Sequence, residues 1–295
     1  MVASILGHYL MSKEVITVKE FKAILKEQEK SRVKLGLIAV AEGFMSVKEA
    51  DRVNRLQAIM DKRFGDIAIE NNLLTEGQVA TLLRKQGNPY LSFAQALENL
   101  NIMTLQQLEQ WVVSYQNENH LSPSDMEALK SDDVDNILHI FLPSEGQQYS
   151  ELAGVAIRAM LRLVDRDIYI GKSSLIETCV MDNSAMQTVE GKNGYQLILA
   201  GRVEGLLPTA RLFGKEEFAV VDMDALDAIG ELLNVINGLY VSSQKDSGSY
   251  EMCPPEFCDT SHKISGKEIL RIPIYVGQSA AMLGIGVDCK VEVIK

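Results

Sequence analysis

Four hydroxyl side chains, Thr17, Ser46, Thr75 and Thr104, recur at intervals of 29 residues, each followed three positions later by Glu20, Glu49, Gln78 or Gln107. Such a pair is a capping box. The hydroxyl accepts from a free N–H in the first turn of a helix, and the carboxylate or amide reaches back to the N–H of the cap. Ten residues before each cap stands Gly7, Gly36, Gly65 or Ala94, preceded by Leu6, Leu35, Phe64 or Phe93. Eleven residues after it stands Gln28, Gln57, Gln86 or, breaking the pattern, Tyr115. Each unit therefore reads as a short helical segment, a turn, a capped helix and a spacer. One unit is too short to bury its apolar face, so the units must stack. This predicts an all-helical repeat domain over residues 1–118.

A chain of 295 residues leaves room for a second domain of ordinary size. Hydrophobic residues at 46% and charged residues at 23% are those of a soluble globular protein. No stretch approaches the ~20 apolar residues that span a bilayer. The first thirteen residues lack a basic flank before a long apolar core, so no secretory signal is expected and the cytoplasm is the expected compartment. A net charge of −11 without a basic stripe argues against nucleic acid and anionic membrane and favours a protein or small-molecule partner. Cys179, Cys253, Cys258 and Cys289 are scattered. Cys253, Cys258 and His262 fall short of the two tight pairs that a zinc site usually shows, so reduced thiols and no metal are expected.

The repeat units resemble the N-terminal domain of type II secretion and pilus ATPases (the GspE/MshE N-terminal family), some members of which bind cyclic di-GMP through paired units. On that resemblance the candidate ligand residues are Lys34, Gly36, Gln57, Arg63, Gly65 and Gln86. The family's full motif opens with Arg-Leu-Gly and ends in Leu-x-x-x-Leu-x-x-Gln. Here the opening residue is Ile5, Lys34, Arg63 and Ser92 in the four units, and the second unit has Ala50 and Asn54 at the leucine positions. The competing reading is that the glycines and glutamines build helix turns, and the loss of basic openings favours it. No Gly-x-x-x-x-Gly-Lys-Ser/Thr loop is present, so the motor activity of those ATPases is excluded.

Residues 119–144, with Ser122-Pro123, Asp132, Asp133, Asp135 and Pro143, read as a partly helical linker containing short helices over 121–130 and 134–141. From 145 to 295 the pattern changes. Leu152, Val155, Ala156, Ala159, Met160 and Leu163 recur at helical spacing. Strand-like runs follow at 168–170 and 175–181, and Asn193-Gly194 marks a hairpin before a strand over 195–203. A long helix is predicted over 223–242, then β-rich runs at 269–276, 282–287 and 291–294. Pro273 predicts an edge or a bend in its strand. The order implies an α+β fold, two long helices layered on an antiparallel-rich sheet.

On the second helix, Ala225, Leu226, Ala228, Ile229, Leu232, Leu233, Val235, Ile236, Leu239 and Tyr240 are predicted to fill one apolar arc. Asp227, Glu231, Asn234 and Gly238 run down the opposite face, flanked by Gly230 and Asn237. Each glycine in a helix costs ~1 kcal/mol relative to alanine, which suggests close approach by something else. The series Asp227-x-x-x-Glu231-x-x-Asn234-x-x-x-Gly238, followed by Cys253-Pro254-Pro255, resembles the active-site helix and following strand of the CheC/CheX/FliY chemotaxis phosphatases. That family dephosphorylates the aspartyl phosphate of CheY-like response regulators. The resemblance implies Glu231 and Asn234 as catalytic residues, with Asn234 orienting water and Glu231 pairing with the regulator's lysine. It makes Asp227, Gly230 and Gly238 partner-binding positions, with Mg²⁺ supplied by the regulator and no cofactor of the chain's own. A second copy of the motif would be Gln147, Glu151 and Gly154, where glycine replaces the amide, as in CheX-type members with one working site, which commonly dimerise.

A response-regulator phosphatase with an attached targeting or sensory domain is thus the leading expectation. The alternatives are a non-catalytic adaptor docking a receiver domain, with the repeats on a secretion or pilus component, and a cyclic di-GMP receptor. Neither Gly-x-Ser-x-Gly nor His-Glu-x-x-His occurs, and His8, His120, His139 and His262 read as structural or exposed.

Overall fold

The computed structural model describes residues 1–60, 62–245 and 247–294. The protein is α+β and divides into two compact units, Val2–Asp132 and Asp133–Lys295, the latter joined by Met1. The division falls inside the stretch expected as a linker. Helix Pro123–Ser131 belongs to the first unit and helix Val134–Phe141 to the second.

The first unit is helical: α1 (Val2–Ser12), α2 (Val18–Lys30), α3 (Leu35–Ala41), α4 (Val47–Met60), α5 (Phe64–Glu70), α6 (Glu76–Lys85), α7 (Pro89–Asn99), α8 (Leu105–Glu118) and α9 (Pro123–Ser131). All four repeated capping boxes are formed. Thr17, Thr75 and Thr104 accept from the N–H three residues on, and Glu20, Gln78 and Gln107 accept from the cap. Ser46 and Glu49 do the same at 3.3 and 2.7 Å.

A second periodic feature lies in the backbone. Glu14, Gly43, Asn72 and Asn101, again 29 residues apart, all take positive φ, between 54° and 68°. Each ends the short helix of its unit and turns the chain toward the next cap, a left-handed stop for which glycine and asparagine are suited. The glycines inside the short helices answer to packing. A Cβ on Gly7 would run into the Phe21 ring, one on Gly65 would lie 2.9 Å from Val79 Cγ1, and one on Gly36 would lie 3.1 Å from Phe64 Cε2. Stacking pairs the second and third repeats through α3–α6, and the first and fourth through α1, α2, α7 and α8.

The second unit begins with α10 (Val134–Phe141) and α11 (Ser150–Leu163). Its sheet is built from β1 (Tyr169–Ile170), β2 (Ser174–Met181), β3 (Asn183–Glu190), β4 (Tyr195–Gly201), β5 (Glu251–Met252), β6 (Glu256–Cys258), β7 (His262–Val276), β8 (Ser279–Val287) and β9 (Lys290–Val293). The order is β1-β7-β8-β4-β3-β5, with β2 and β9 on β7 and β6 on β3, every pairing antiparallel. Ile176 and Cys179 of β2 pack against a buried cluster that includes Met186 of β3, Ile198 and Ala200 of β4 and Ile264 and Ile269 of β7. Strands far apart in the order thus share a core, so the sheet curls.

Two helices lie on this sheet, α12 (Val203–Gly214) against β4 and β8 and α13 (Met223–Ser243) against β3 and β4, side by side. Three sequence expectations are corrected here. The strand expected to reach residue 203 ends at Gly201, and Val203 opens a helix, α12, which has Pro208 inside it. No strand is expected over residues 183–190, yet β3 lies there. Its buried positions include the polar Asn183, Ser184 and Gln187, so it shows neither clean alternation nor an apolar run. Finally, Pro273 is on an inner strand, paired with Met282 on one side. On its other side the Gly171 N–H donates to the Pro273 carbonyl at 2.9 Å, in the gap where β1 gives way to β2. The proline's missing N–H faces that interruption, so no ladder bond is lost.

Candidate functional site

Helix α13 is capped by Asp222, whose carboxylate accepts from the Ala225 N–H at 3.1 Å. Ala225, Leu226, Ile229, Leu232, Leu233 and Ile236 are fully buried and fix the helix on the sheet. Asp227, Glu231 and Asn234 are exposed on the outer face, with Gly238 half-buried in line with them. A Cβ at Gly238 would meet nothing within 4 Å.

Four positions differ from the helical-wheel expectation. Val235 and Leu239, expected in the buried arc, are 37% and 41% exposed, next to Glu231 and Asn234 on the outer surface. Asn237, expected beside the polar line, is fully buried. Gly230, expected as a partner-binding position, is buried as well. A Cβ there would lie 2.6 Å from Phe257 Cε1 and 3.1 Å from Pro255 Cβ. The chain's own ring fills that space, so internal packing accounts for the missing side chain.

Asn234 is exposed, yet its amide is held from below. Gln187 of β3, 1% exposed, donates through Nε2 to Asn234 Oδ1 at 3.1 Å and to the Cys253 carbonyl at 2.9 Å. Its Oε1 accepts from Asn237 Nδ2 at 2.8 Å, and Asn237 Oδ1 accepts from the Tyr195 hydroxyl at 3.0 Å. Burial raises the Tyr195 pKa well above the phenol range, which keeps it a neutral donor. Cys253-Pro254-Pro255 interrupts the sheet edge between β5 and β6 beside this network, with the Cys253 N–H donating to the Thr188 carbonyl at 2.9 Å. Burial, then the charges of Glu190, Glu251 and Glu256, raise the Cys253 pKa, which holds the thiol neutral. Gln187 carries no signal in the sequence. Its partners lie 47, 50 and 66 residues away, so no local spacing reports them.

Beside Glu231, a depression of about 380 Å³ between α12 and α13 is lined by Phe213 and Phe218 together with Glu216, Asp224, Asp227 and Glu231. Arg211 of α12 ties down the connecting loop through its guanidinium bonds to the Phe218 carbonyl. Carboxylates around an aromatic floor suit a cationic side chain.

The motif's first copy is occupied by the chain itself. A Cβ on Gly154 would lie 2.6 Å from Asp135 Oδ1 and 3.0 Å from Arg158 Nη1, under the ion pair those residues form. Gln147 is turned to the His139 and Leu142 carbonyls, and Glu151 accepts from Gln244 Nε2 at 3.2 Å. Cys253 and Cys258 stand on β3's edge opposite Thr188 and Ser184. Four residues of strand separate those anchors by ~13 Å, too far for two thiolates on one metal. His262, fully buried, has Nδ1 on the Thr260 carbonyl (2.7 Å) and Nε2 on Ser184 Oγ (2.8 Å), so both nitrogens are engaged inside the fold.

In the helical unit, Lys34, Gln57, Arg63 and Gln86 line one cavity of about 550 Å³ with Asn54 and Phe64. Lys34 and Arg63 are the N-caps of α3 and α5, and neither makes a side-chain capping bond. Gln86 is engaged internally. Its Nε2 donates to the Val33 carbonyl at 2.6 Å, and its Oε1 accepts from Arg32 at 2.7 and 3.1 Å. Gln28 likewise donates to the Pro89 carbonyl at 3.1 Å. Gly36 and Gly65 are buried by their own neighbours. Gln28 and Gln86 thus knit repeats together, and Lys34, Gln57 and Arg63 are exposed at the cavity.

No family model matches the sequence, and no curated protein matches it. Among solved structures the protein is similar to a CheC-like superfamily protein from Shewanella sp. PV-4, at 18% identity and TM-score 0.41 over 46% of this chain and 94% of that one. It is similar to the chemotaxis protein CheX from Desulfovibrio desulfuricans at 15% identity and TM-score 0.41, over 47% and 97%. It is also similar to a structure of the CheX–CheY–BeF₃–Mg²⁺ complex from Borrelia burgdorferi at 17% identity and TM-score 0.38, over 48% and 96%.

Proposed function

We propose that the C-terminal unit dephosphorylates the aspartyl phosphate of a CheY-like receiver domain. The observation that supports this reading is the pairing of Glu231 and Asn234, three residues apart and exposed on one helix face, with the asparagine amide tethered to the sheet beneath. Water attacks phosphorus in line, the bond from phosphorus to the aspartyl oxygen breaks, and the receiver's aspartate leaves as a carboxylate. The water proton passes to the departing phosphate. The receiver brings the acyl phosphate and the Mg²⁺ that offsets its charge. The phosphatase therefore has to supply position above all. Asn234 takes the water, and Glu231, on the acidic depression, takes the receiver's lysine. Asp227 extends the acidic rim, and Gly238 leaves room for the partner.

The test is loss of phosphate from a phosphorylated, Mg²⁺-loaded receiver. Wild type is expected to accelerate decay, and Asn234→Ala to remove roughly 10²-fold or more of that acceleration while still binding. Glu231→Gln is expected to weaken receiver binding. A receiver that binds but decays at its own rate with wild type replaces this reading with the adaptor.

A second reading concerns the helical unit, where Lys34, Gln57 and Arg63 meet at one cavity. Cyclic di-GMP would bring its phosphates to the two basic residues. Calorimetric titration should then give a binding isotherm that Arg63→Ala abolishes. A flat wild-type titration leaves the cavity as a seam between repeats.

A further inference from the structure

We propose that Gln187 is a positioning residue for Asn234, fixing which end of the Asn234 amide meets the water. This rests on the phosphatase reading above. An amide on an exposed helix face has two faults as a water-orienting group. It samples several rotamers, and its O and N ends exchange by a half-turn, so a water beside it meets an acceptor at one moment and a donor at the next.

The network beneath α13 removes both. It is anchored at the Cys253 carbonyl, which can only accept. The Gln187 atom 2.9 Å from it must be Nε2, so Oε1 points the other way, toward Asn237. Gln187 Nε2 has two protons. One goes to Cys253, the other to Asn234 at 3.1 Å, and the Asn234 atom receiving it must be Oδ1. The same logic runs on to Asn237, whose Nδ2 serves Gln187 and whose Oδ1 takes the Tyr195 hydroxyl proton. Orientation is thus passed from a backbone carbonyl, through a glutamine 1% exposed, to an amide in solvent. Turning Asn234 over would set two N–H₂ groups against each other.

In this state Asn234 Oδ1 keeps one lone pair, enough to accept a proton of the attacking water and leave the water's own lone pair directed at phosphorus. That leaves Nδ2 as the end of the amide that would donate to a phosphoryl oxygen of the receiver. The Cys253-Pro254-Pro255 interruption acquires a purpose here. With Cys253's N–H already on Thr188 and no N–H on either proline, the edge turns one carbonyl inward to Gln187.

The test replaces Gln187 with methionine, similar in length and without the amide, and follows two readouts. In single-turnover dephosphorylation, Gln187→Met is expected to lower the rate at saturating receiver by roughly 10- to 100-fold and to leave the concentration for half-saturation within about twofold. Added to Asn234→Ala, Gln187→Met should lower the rate no further, because the group it positions is gone. An equal factor in both backgrounds would mean a general loss of structure and would overturn the proposal, as would an unchanged rate. The second readout is the Asn234 side-chain amide by ¹⁵N relaxation in the wild-type protein. An order parameter near ~0.85, that of rigid backbone, is expected, and a value below ~0.6 overturns the tether. This second readout needs neither activity nor a folded variant. If wild type accelerates no receiver, the phosphatase reading fails by itself, and the relaxation result still decides whether Gln187 holds Asn234.

Discussion

Gly230 and Gly238 lie on the same helix, and alanine should stabilise at position 238 and fail to do so at position 230. In a helix interior alanine is favoured over glycine by ~1 kcal/mol, a gain both variants share. At position 238 a Cβ meets nothing within 4 Å, so the gain stands alone. Gly238→Ala is therefore expected to raise the melting temperature of the C-terminal unit by roughly 2–4 °C. At position 230 the Cβ would fall 2.6 and 2.8 Å from two atoms of the Phe257 ring. That ring sits on β6, whose backbone is fixed by pairing with Ala185 of β3. Overpacking of this kind costs ~1–3 kcal/mol. Since the helix gain is common, the gap between the variants is the collision alone, roughly 2–12 °C in melting temperature. Differential scanning calorimetry on the two full-length variants measures it. Variants melting within about 1 °C of each other would refute the packing account of Gly230. Titration with a receiver then separates function from fold. Gly230→Ala should leave affinity unchanged, and Gly238→Ala, with its methyl on the outer face, should weaken it. Unchanged affinity in Gly238→Ala would show that no partner approaches closely there.

Glu14 holds the left-handed turn that Gly43, Asn72 and Asn101 hold in the other repeats. Glu14→Gly should therefore stabilise the helical unit by about 1 kcal/mol, read from denaturant midpoints, and a loss of stability would contradict it. The capping carboxylates of Glu20 and Glu49 are held below the ordinary value of 4.5 by the cap's backbone N–H and then its hydroxyl. A depressed folded pKa means their stabilisation is complete above that value and is lost as pH falls through the folded one. The helical unit's melting temperature should drop on acidification from about pH 6 to about pH 3, and less so in the double variant Glu20→Gln, Glu49→Gln, whose amides, like Gln78 and Gln107, do not titrate. Gly154→Asn restores the amide of the motif's first copy, but its Cβ meets the Asp135–Arg158 pair. It should lower the melting temperature and give no activity in an Asn234→Ala background, and recovered dephosphorylation would show the first copy to be competent.

What the sequence makes legible is what is local. A hydroxyl and a carboxylate three residues apart either form a capping box or do not, and all four did. The line Asp227, Glu231, Asn234 could be placed on one face because helical periodicity is a property of the segment alone. Two things escaped it, the buried side of α13 and the strand beneath. Helix geometry gives relative angles without saying how much of the circumference the neighbours cover, so Val235 and Leu239 were drawn inward and Asn237 outward. β3 gives no strand signal because Asn183, Ser184 and Gln187 put polar side chains at buried positions, leaving neither alternation nor an apolar run.

Those omissions belong to one cause, and it bears on the site. Asn237, Gln187 and Tyr195 are polar groups in an interior, where each is costly unless paired, and every pairing joins residues at least 42 positions apart. An amide that orients water from an exposed helix, as proposed for Asn234, has to be rigid without being buried. Rigidity has to come from a group that is buried, and a buried polar group needs further partners, until the chain ends at a backbone carbonyl and a phenol that close the account. The residues that resemble a known motif are then the exposed end of a longer structure. Changing its interior members should alter the rate with the surface motif intact.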